Sequence, residues 1–111
     1  MAVASTIFVS TKYAEMADTL QYLPSISTSI IDKFTVNNVS TVAVTFTAHI
    51  VTTGGSPGLD NKIVSRSIPA GQASCMAEMI GQILTTNTAL YTSCSAASAI
   101  VMRVCGREIT T

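Results

Sequence analysis

The chain has 111 residues, which is enough for one domain with one modest hydrophobic core. Apolar residues make up 48% and charged residues only 11%, which excludes a disordered tail because such tails combine high charge with low hydrophobicity. Six basic and six acidic residues give zero net charge without a basic cluster, so we expect no direct contact with nucleic acid. Ser and Thr account for 29 residues, and surfaces this poor in charge favour association.

The order of the residues also disfavours a membrane-spanning protein and a secreted protein. No apolar run approaches the length of a membrane-spanning helix, so we expect no membrane partner. The first residues also lack the basic stretch that opens a secretory signal. We therefore expect synthesis in the cytoplasm.

Residues 1–22 are apolar but irregularly patterned, and Pro24 disfavours a continuing helix at Leu23. This segment predicts either an edge strand or an extended arm that reaches a neighbouring chain, and an arm could be removed without unfolding the domain. We place the sandwich domain at residues 23–111. The candidate contacts between chains are the large apolar residues of the first segment, namely Ile7, Phe8, Tyr13, Met16 and Tyr22.

Residues 40–51 show the strongest pattern in the chain. Apolar and polar residues alternate, which is typical of a half-buried strand because successive side chains point to opposite faces. We expect a core face that includes Phe46 and an exposed face that carries His49. The core face also comprises Val42, Val44, Ala48 and Ile50.

Residues 29–37 predict the preceding strand, with Ile30, Phe34 and Val36 on one face and Asp32 as an exception. Asp32 is expected at an exposed strand end or paired with a polar neighbour. Because Asn tolerates turn geometry, residues 37 and 38 predict a hairpin between this strand and the next.

The second half of the chain contains shorter elements. Residues 52–61 form a glycine-rich loop, and residues 62–68 a strand. Residues 75–84 fit either a short amphipathic helix or a pair of short strands broken near Glu78. We prefer a strand over residues 72–76 followed by a turn or a short helix. Strands are expected from Leu90 and over residues 99–109, with Gly106 marking a bulge or bend. Together the patterns predict an all-β, antiparallel sandwich of about seven to eight short strands.

The sequence offers no catalytic, cofactor-binding or metal-binding motif, and we expect neither an enzyme nor a cofactor. His49 is the only histidine, and the acidic residues are scattered along the chain. The three cysteines, Cys75, Cys94 and Cys105, match no zinc spacing. They are candidates for free thiols or for a disulfide. Because their number is odd, at least one thiol would stay free after a disulfide forms within the chain, or would pair with a cysteine of another chain.

A further signal comes from the strand-and-turn segments at residues 30–38, 44–46, 68–72, 95–99 and 106–110. These segments resemble small virion proteins of tailed bacteriophages, and the resemblance covers most of the chain. It implies a compact β-sandwich on a capsid, collar, neck or tail, where it binds other virion proteins as decoration, cement or adaptor. It also implies a symmetric oligomer, with a trimer favoured, and location in the virion. The cysteines depart from the pattern of the group.

A carbohydrate-binding or adhesive β-sandwich is the alternative function. Such a protein needs exposed aromatic side chains in a shallow groove, whereas aromatic residues make up only 5% of this chain and Trp is absent. The composition therefore favours the virion protein, and a small enzyme ranks third.

Overall fold

A computed structural model describes residues 2–110, which form an antiparallel β-sandwich as the sequence predicts. Over these residues the chain has nine strands, slightly more than expected, and a single 3-10 turn at Ala77–Met79. The strands are β1 Ala2–Tyr13, β2 Thr19–Tyr22, β3 Thr28–Asn38, β4 Val44–Thr52, β5 Lys62–Ile68, β6 Ala73–Cys75, β7 Ile83–Leu84, β8 Thr88–Cys94 and β9 Ile100–Thr110.

The strands form two sheets. In the first sheet the order is β1-β9-β3-β6, and the short β7 pairs with β3 beside β6. The second sheet has the order β2-β8-β4-β5. The strand predicted over residues 72–76 is confirmed as β6, and the turn or short helix predicted after it is the 3-10 turn. The short strand β7 follows, so an amphipathic helix over residues 75–84 is not formed.

The core lies between the two sheets and is filled by alternate residues of their inner faces. Phe34 of the first sheet and Phe46 of the second sheet meet edge to face, with ring centroids 5.8 Å apart. Both side chains are completely buried. Buried aromatic pairs of this geometry stabilise beyond the apolar area that they remove from water, so this contact joins the sheets at the centre of the fold.

The first 22 residues supply one edge strand to each sheet. β1 pairs with β9 along its whole length, and β2 pairs with β8. Phe8, Val9 and Ala14 are buried in the core shared by both sheets. Of the two structures considered for this segment, the edge strand is therefore the one observed within the chain.

The connection between β3 and β4 is not the predicted hairpin, because the two strands lie in different sheets. Asn38 is fully buried at the start of this arch. Its Nδ2 group donates to the carbonyls of Val42 at 2.8 Å and Ile68 at 2.9 Å, while its Oδ1 atom accepts from Ser40. These hydrogen bonds of the Asn38 side chain stabilise a connection that passes from one sheet to the other, instead of a tight turn between neighbouring strands.

The faces of β4 differ in part from the prediction. Val44, Phe46 and Ala48 are buried as expected, but Val42 precedes the strand and is 60% exposed, and Ile50 is only partly buried. His49 was expected on the exposed face but is buried, and Val51 on the same face is buried as well. The reason is the loop over residues 53–61, which folds back over the outer face of β4 and covers its second half.

The bulge predicted at Gly106 is confirmed by a register shift between β3 and β9. An added Cβ atom there would lie 1.9 Å from the Ile30 carbonyl oxygen and 2.9 Å from the Phe8 ring, so only glycine fits. The pairing of β3 with β9 slips beside it, at Asp32. This slip turns Ile31 into the core and leaves Ile30 only half-buried, which corrects the predicted face of β3.

Candidate association surface

The only histidine of the sequence is buried and contacts the loop over residues 53–61. His49 is 5% exposed, and its Nδ1 atom lies 2.9 Å from Oδ1 of Asn61. Its Nε2 atom lies 3.9 Å from the Asp18 carboxylate. Asn61 also accepts from the backbone N–H of Gly58 and donates to the carbonyl of Ser56. His49 therefore helps to fasten the 53–61 loop to the sheet, and no hydroxyl or thiol nucleophile is hydrogen-bonded to it among residues 2–110.

The three cysteines are free thiols in separate surroundings. Cys75 is exposed on β6, Cys105 is half-buried in the central strand β9, and Cys94 is buried at the end of β8. Burial raises the pKa of the Cys94 thiol, which also donates a hydrogen bond to the Ala96 carbonyl at 3.1 Å. The structure brings no two of them together as a disulfide, and within residues 2–110 no cluster of His, Cys, Asp and Glu is suited to a metal ion.

A cleft of about 670 Å³ lies between the 53–61 loop and β7. Its wall combines loop backbone with Ile50, Ile63 and Ile83, and with the polar side chains of Asp60 and Asn61. Within the described part of the chain, the lining includes no aromatic ring. The cleft thus lacks the stacking surface that the carbohydrate-binding alternative requires.

Exposed apolar side chains are the most prominent surface feature. Among residues 2–110, thirteen large hydrophobic residues are between 37% and 87% exposed. They are Val3, Ile7, Tyr13, Met16, Leu20, Leu23, Ile26, Val39, Val42, Leu59, Ile63, Ile80 and Ile83. Isolated exposed apolar residues are ordinary on a folded protein, but their number here is large beside the twelve charged residues of the chain.

The predicted contact residues divide into two groups. Ile7, Tyr13 and Met16 are each about half exposed and remain candidates for contacts between chains. Phe8 is only 7% exposed and stacks on Tyr22 with ring centroids 4.6 Å apart. The two rings pack against each other within one chain, because β1 and β2 are edge strands of facing sheets. Phe8 is therefore no longer a candidate for contacts between chains, and much of the Tyr22 ring is covered by Phe8.

Sequence patterns did not single out the other exposed apolar residues. Leu20, Ile26, Leu59 and Ile83 lie in short or irregular segments, whereas Val3 lies in the long edge strand β1. Only Leu59, an apolar residue within a polar loop, carried a local signal that could have been noticed. The exposure of the rest follows from the positions of strand edges, which no local pattern reveals.

Ion pairs within the chain neutralise much of the small surface charge. Lys12 pairs with Glu15, Arg66 with Glu78, and Arg107 with Asp32 at N–O distances of 2.6–3.0 Å, so six of the twelve charged residues are paired locally. The hydrogen bonds that Arg107 donates to Asp32 raise the pKa of the guanidinium further. The other six charged residues are three basic and three acidic, so no net charge is left to repel an approaching protein surface.

Comparison of the chain with protein-family models, with curated proteins and with solved structures found no match. Among residues 2–110 there is also no helix with the length and hydrophobicity needed to cross a membrane.

Proposed function

We propose that this protein is a structural component of a tailed-phage virion that binds other virion proteins. Within the particle it serves as a capsid decoration or cement protein, or as a collar or neck protein. The observation that carries the proposal is the combination of thirteen exposed large hydrophobic residues with locally neutralised charge. The sequence resemblance to small virion proteins supplies the biological setting.

The physical argument starts from solubility. A monomer that exposes many apolar side chains usually keeps itself apart from other molecules by net charge, and this chain has none. Contacts with other subunits remove such side chains from water at about 25 cal/mol per Å² of apolar area. Permanent neighbours in a particle therefore explain a surface that would be a liability for a solitary chain.

The proposal includes a homo-oligomer. A closed, symmetric oligomer covers each apolar patch with its complement and stops further growth. The resemblance favours a trimer, because a capsid offers threefold positions, while a ring at the neck would follow a different symmetry. The virion partners are the major capsid proteins or the neck and tail proteins.

Two measurements test the proposal. Light scattering of the purified protein at micromolar concentration is expected to give a mass that is a multiple of 11.6 kDa. Mass spectrometry of phage particles purified from cells that produce the protein is expected to detect it at a fixed ratio to the major capsid protein. A monomer that is absent from purified particles would overturn the proposal.

A further inference from the structure

The N-terminal half of β1 is an unusually regular and uncharged sheet edge. Residues 2–7 pair with β9 without interruption, from Ala2 opposite Thr110 to Ile7 opposite Cys105. Within residues 2–110, the order of the first sheet leaves the other side of β1 without a neighbouring strand. These six residues contain no charge, no proline and no glycine. Such an edge can pair with another strand, since nothing on it opposes backbone hydrogen bonding.

The other edges of the sandwich are protected. β2 has only four residues and an irregular register at Leu20–Tyr22, while β6 and β7 have three and two residues. β5 is longer, but its register shifts opposite Ala48 and His49 and it carries Lys62 and Arg66. Arg66 also ties this edge to the 3-10 turn through Glu78 and the Cys75 carbonyl. Shortness, bulges and charge are the usual devices against edge pairing, and residues 2–7 lack all of them.

We propose that residues 3–7 of β1 pair antiparallel with the same residues of a second copy of this chain, about a twofold axis at Ser5. In this register Val3 of one chain lies opposite Ile7 of its partner, and Ala4 lies opposite Thr6. The juxtaposition joins the first sheets of two sandwiches into one continuous sheet.

The segment is suited to itself rather than to an unrelated strand. Val3, Ser5 and Ile7 share one face, and Val3 and Ile7 are 56% and 50% exposed. Antiparallel pairing about Ser5 brings these two β-branched residues together twice, and such pairs stabilise a sheet. Because the segment is uncharged, a second copy introduces no repulsion between like charges. A twofold contact also closes on itself, so the edge is used up and growth stops.

The inference deepens the proposed homo-oligomer and rests on that proposal. A twofold contact makes the dimer the basic unit, so chains associate in even numbers instead of forming the simple trimer that the resemblance favours. This difference allows the pairing to fail while the wider proposal of a virion component survives.

Matched charge variants provide the main test. Val3→Lys/Ile7→Lys places lysine opposite lysine at both contacts and is expected to raise the dimer dissociation constant about tenfold or more. Val3→Lys/Ile7→Glu removes the same apolar residues but places opposite charges together, so it is expected to retain the dimer. A mixture of the Lys/Lys variant with Val3→Glu/Ile7→Glu is expected to form mixed dimers. Sedimentation equilibrium measures the association, and circular dichroism confirms that each variant is folded.

A thiol variant tests the register. Ser5→Cys, in a background with Cys75→Ser and Cys105→Ser, is expected to form a disulfide-linked dimer under mild oxidation. Residues directly opposite in an antiparallel pair have Cβ atoms about 4.5–5.5 Å apart, close enough for a disulfide after a small adjustment. Ser10→Cys in the same background is the control, because Ser10 lies beyond the regular stretch of β1 and is expected to stay monomeric on denaturing gels.

The outcomes separate the two proposals. Dimers that respond to the charge variants and cross-link at residue 5 support the pairing. A stable trimer, or any oligomer that the Lys/Lys variant leaves intact, overturns the pairing and leaves the proposed function in place. A wild-type protein that is monomeric at every concentration overturns the pairing and the homo-oligomer, and its absence from purified particles would overturn the proposed function as well.

Discussion

At the residue scale, Phe46 shows how one side chain joins the two sheets. It is fully buried and meets Phe34 edge to face, whereas its neighbour Thr45 is exposed on the other side of the same strand. Phe46→Ala is expected to lower the free energy of unfolding by about 3–5 kcal/mol, because it removes a large side chain and leaves a cavity. Thr45→Ala is the control and is expected to cost less than about 1 kcal/mol. Equal, small effects in urea unfolding would contradict the assigned faces of β4.

Gly106 is a second residue whose identity is fixed by its neighbours. An alanine Cβ atom would lie 1.9 Å from the Ile30 carbonyl oxygen, and a backbone atom cannot move aside as a side-chain tip can. Gly106→Ala is expected to destabilise the protein by about 1–3 kcal/mol or more, as overpacked sites do. Gly58→Ala is the control, because its Cβ atom would approach the mobile end of the Asp60 side chain at 3.2 Å. Thermal unfolding of both variants measures the difference, and equal melting temperatures would count against the close packing at the bulge.

At the element scale, a polar network connects β1 of the first sheet to β2 and β8 of the second sheet. Glu15 accepts from Lys12 at 2.8 Å and from Gln21 at 3.0 Å, and Gln21 also donates to Thr92 of β8 at 2.9 Å. The hydrogen bond from Lys12 is the main reason that the pKa of Glu15 lies below its ordinary value of 4.5. The carboxylate is therefore favoured in the folded state.

This pKa shift predicts a contribution to acid unfolding. Because the folded-state pKa is lowered, the stabilisation is complete above the ordinary value of 4.5 and is lost as the pH falls through the lower folded value. Glu15→Gln is expected to lose less stability than the wild type between neutral pH and this acidic range. The effect is modest because the side chain is 42% exposed. Urea unfolding at several pH values measures it, with Asp60→Asn as a control outside the network, and parallel curves for wild type and Glu15→Gln would argue against it.

At the scale of the whole molecule, the first 22 residues complete the sandwich. β1 and β2 close one edge of each sheet, and Phe8, Val9 and Ala14 contribute to the common core. Deletion of residues 1–22 is therefore expected to abolish cooperative unfolding, since the fold would lose two strands and expose its core. Deletion of residues 2–4 is the control, because these side chains are exposed and their loss is expected to leave a folded domain. A residue 23–111 fragment that melts as cooperatively as the full chain would favour a detachable arm instead.

Local patterns in the amino-acid sequence were enough to predict the class of fold and several strands. The pattern of apolar and polar residues is a local property, so the strand predicted over residues 62–68 coincides with β5, and the strand predicted over residues 99–109 lies almost entirely within β9. Gly106 also indicated its bulge, because a glycine inside a strand often marks a bend or a close approach of backbone. These predictions succeeded because the physical cause lies within a few residues of the pattern.

Contacts between distant parts of the chain, in contrast, fix which strands meet and which faces are covered. The chain crosses between sheets after β3 because the buried Asn38 amide is satisfied by the carbonyl of Ile68, thirty residues further along the chain. His49 is buried because the 53–61 loop returns over β4, and the exposed edge of β1 results from the order of the strands. A local pattern gives the direction of a side chain relative to its own strand. The partner on that side is set by contacts that are distant in sequence, so the surface available for association could be recognised only in the folded chain.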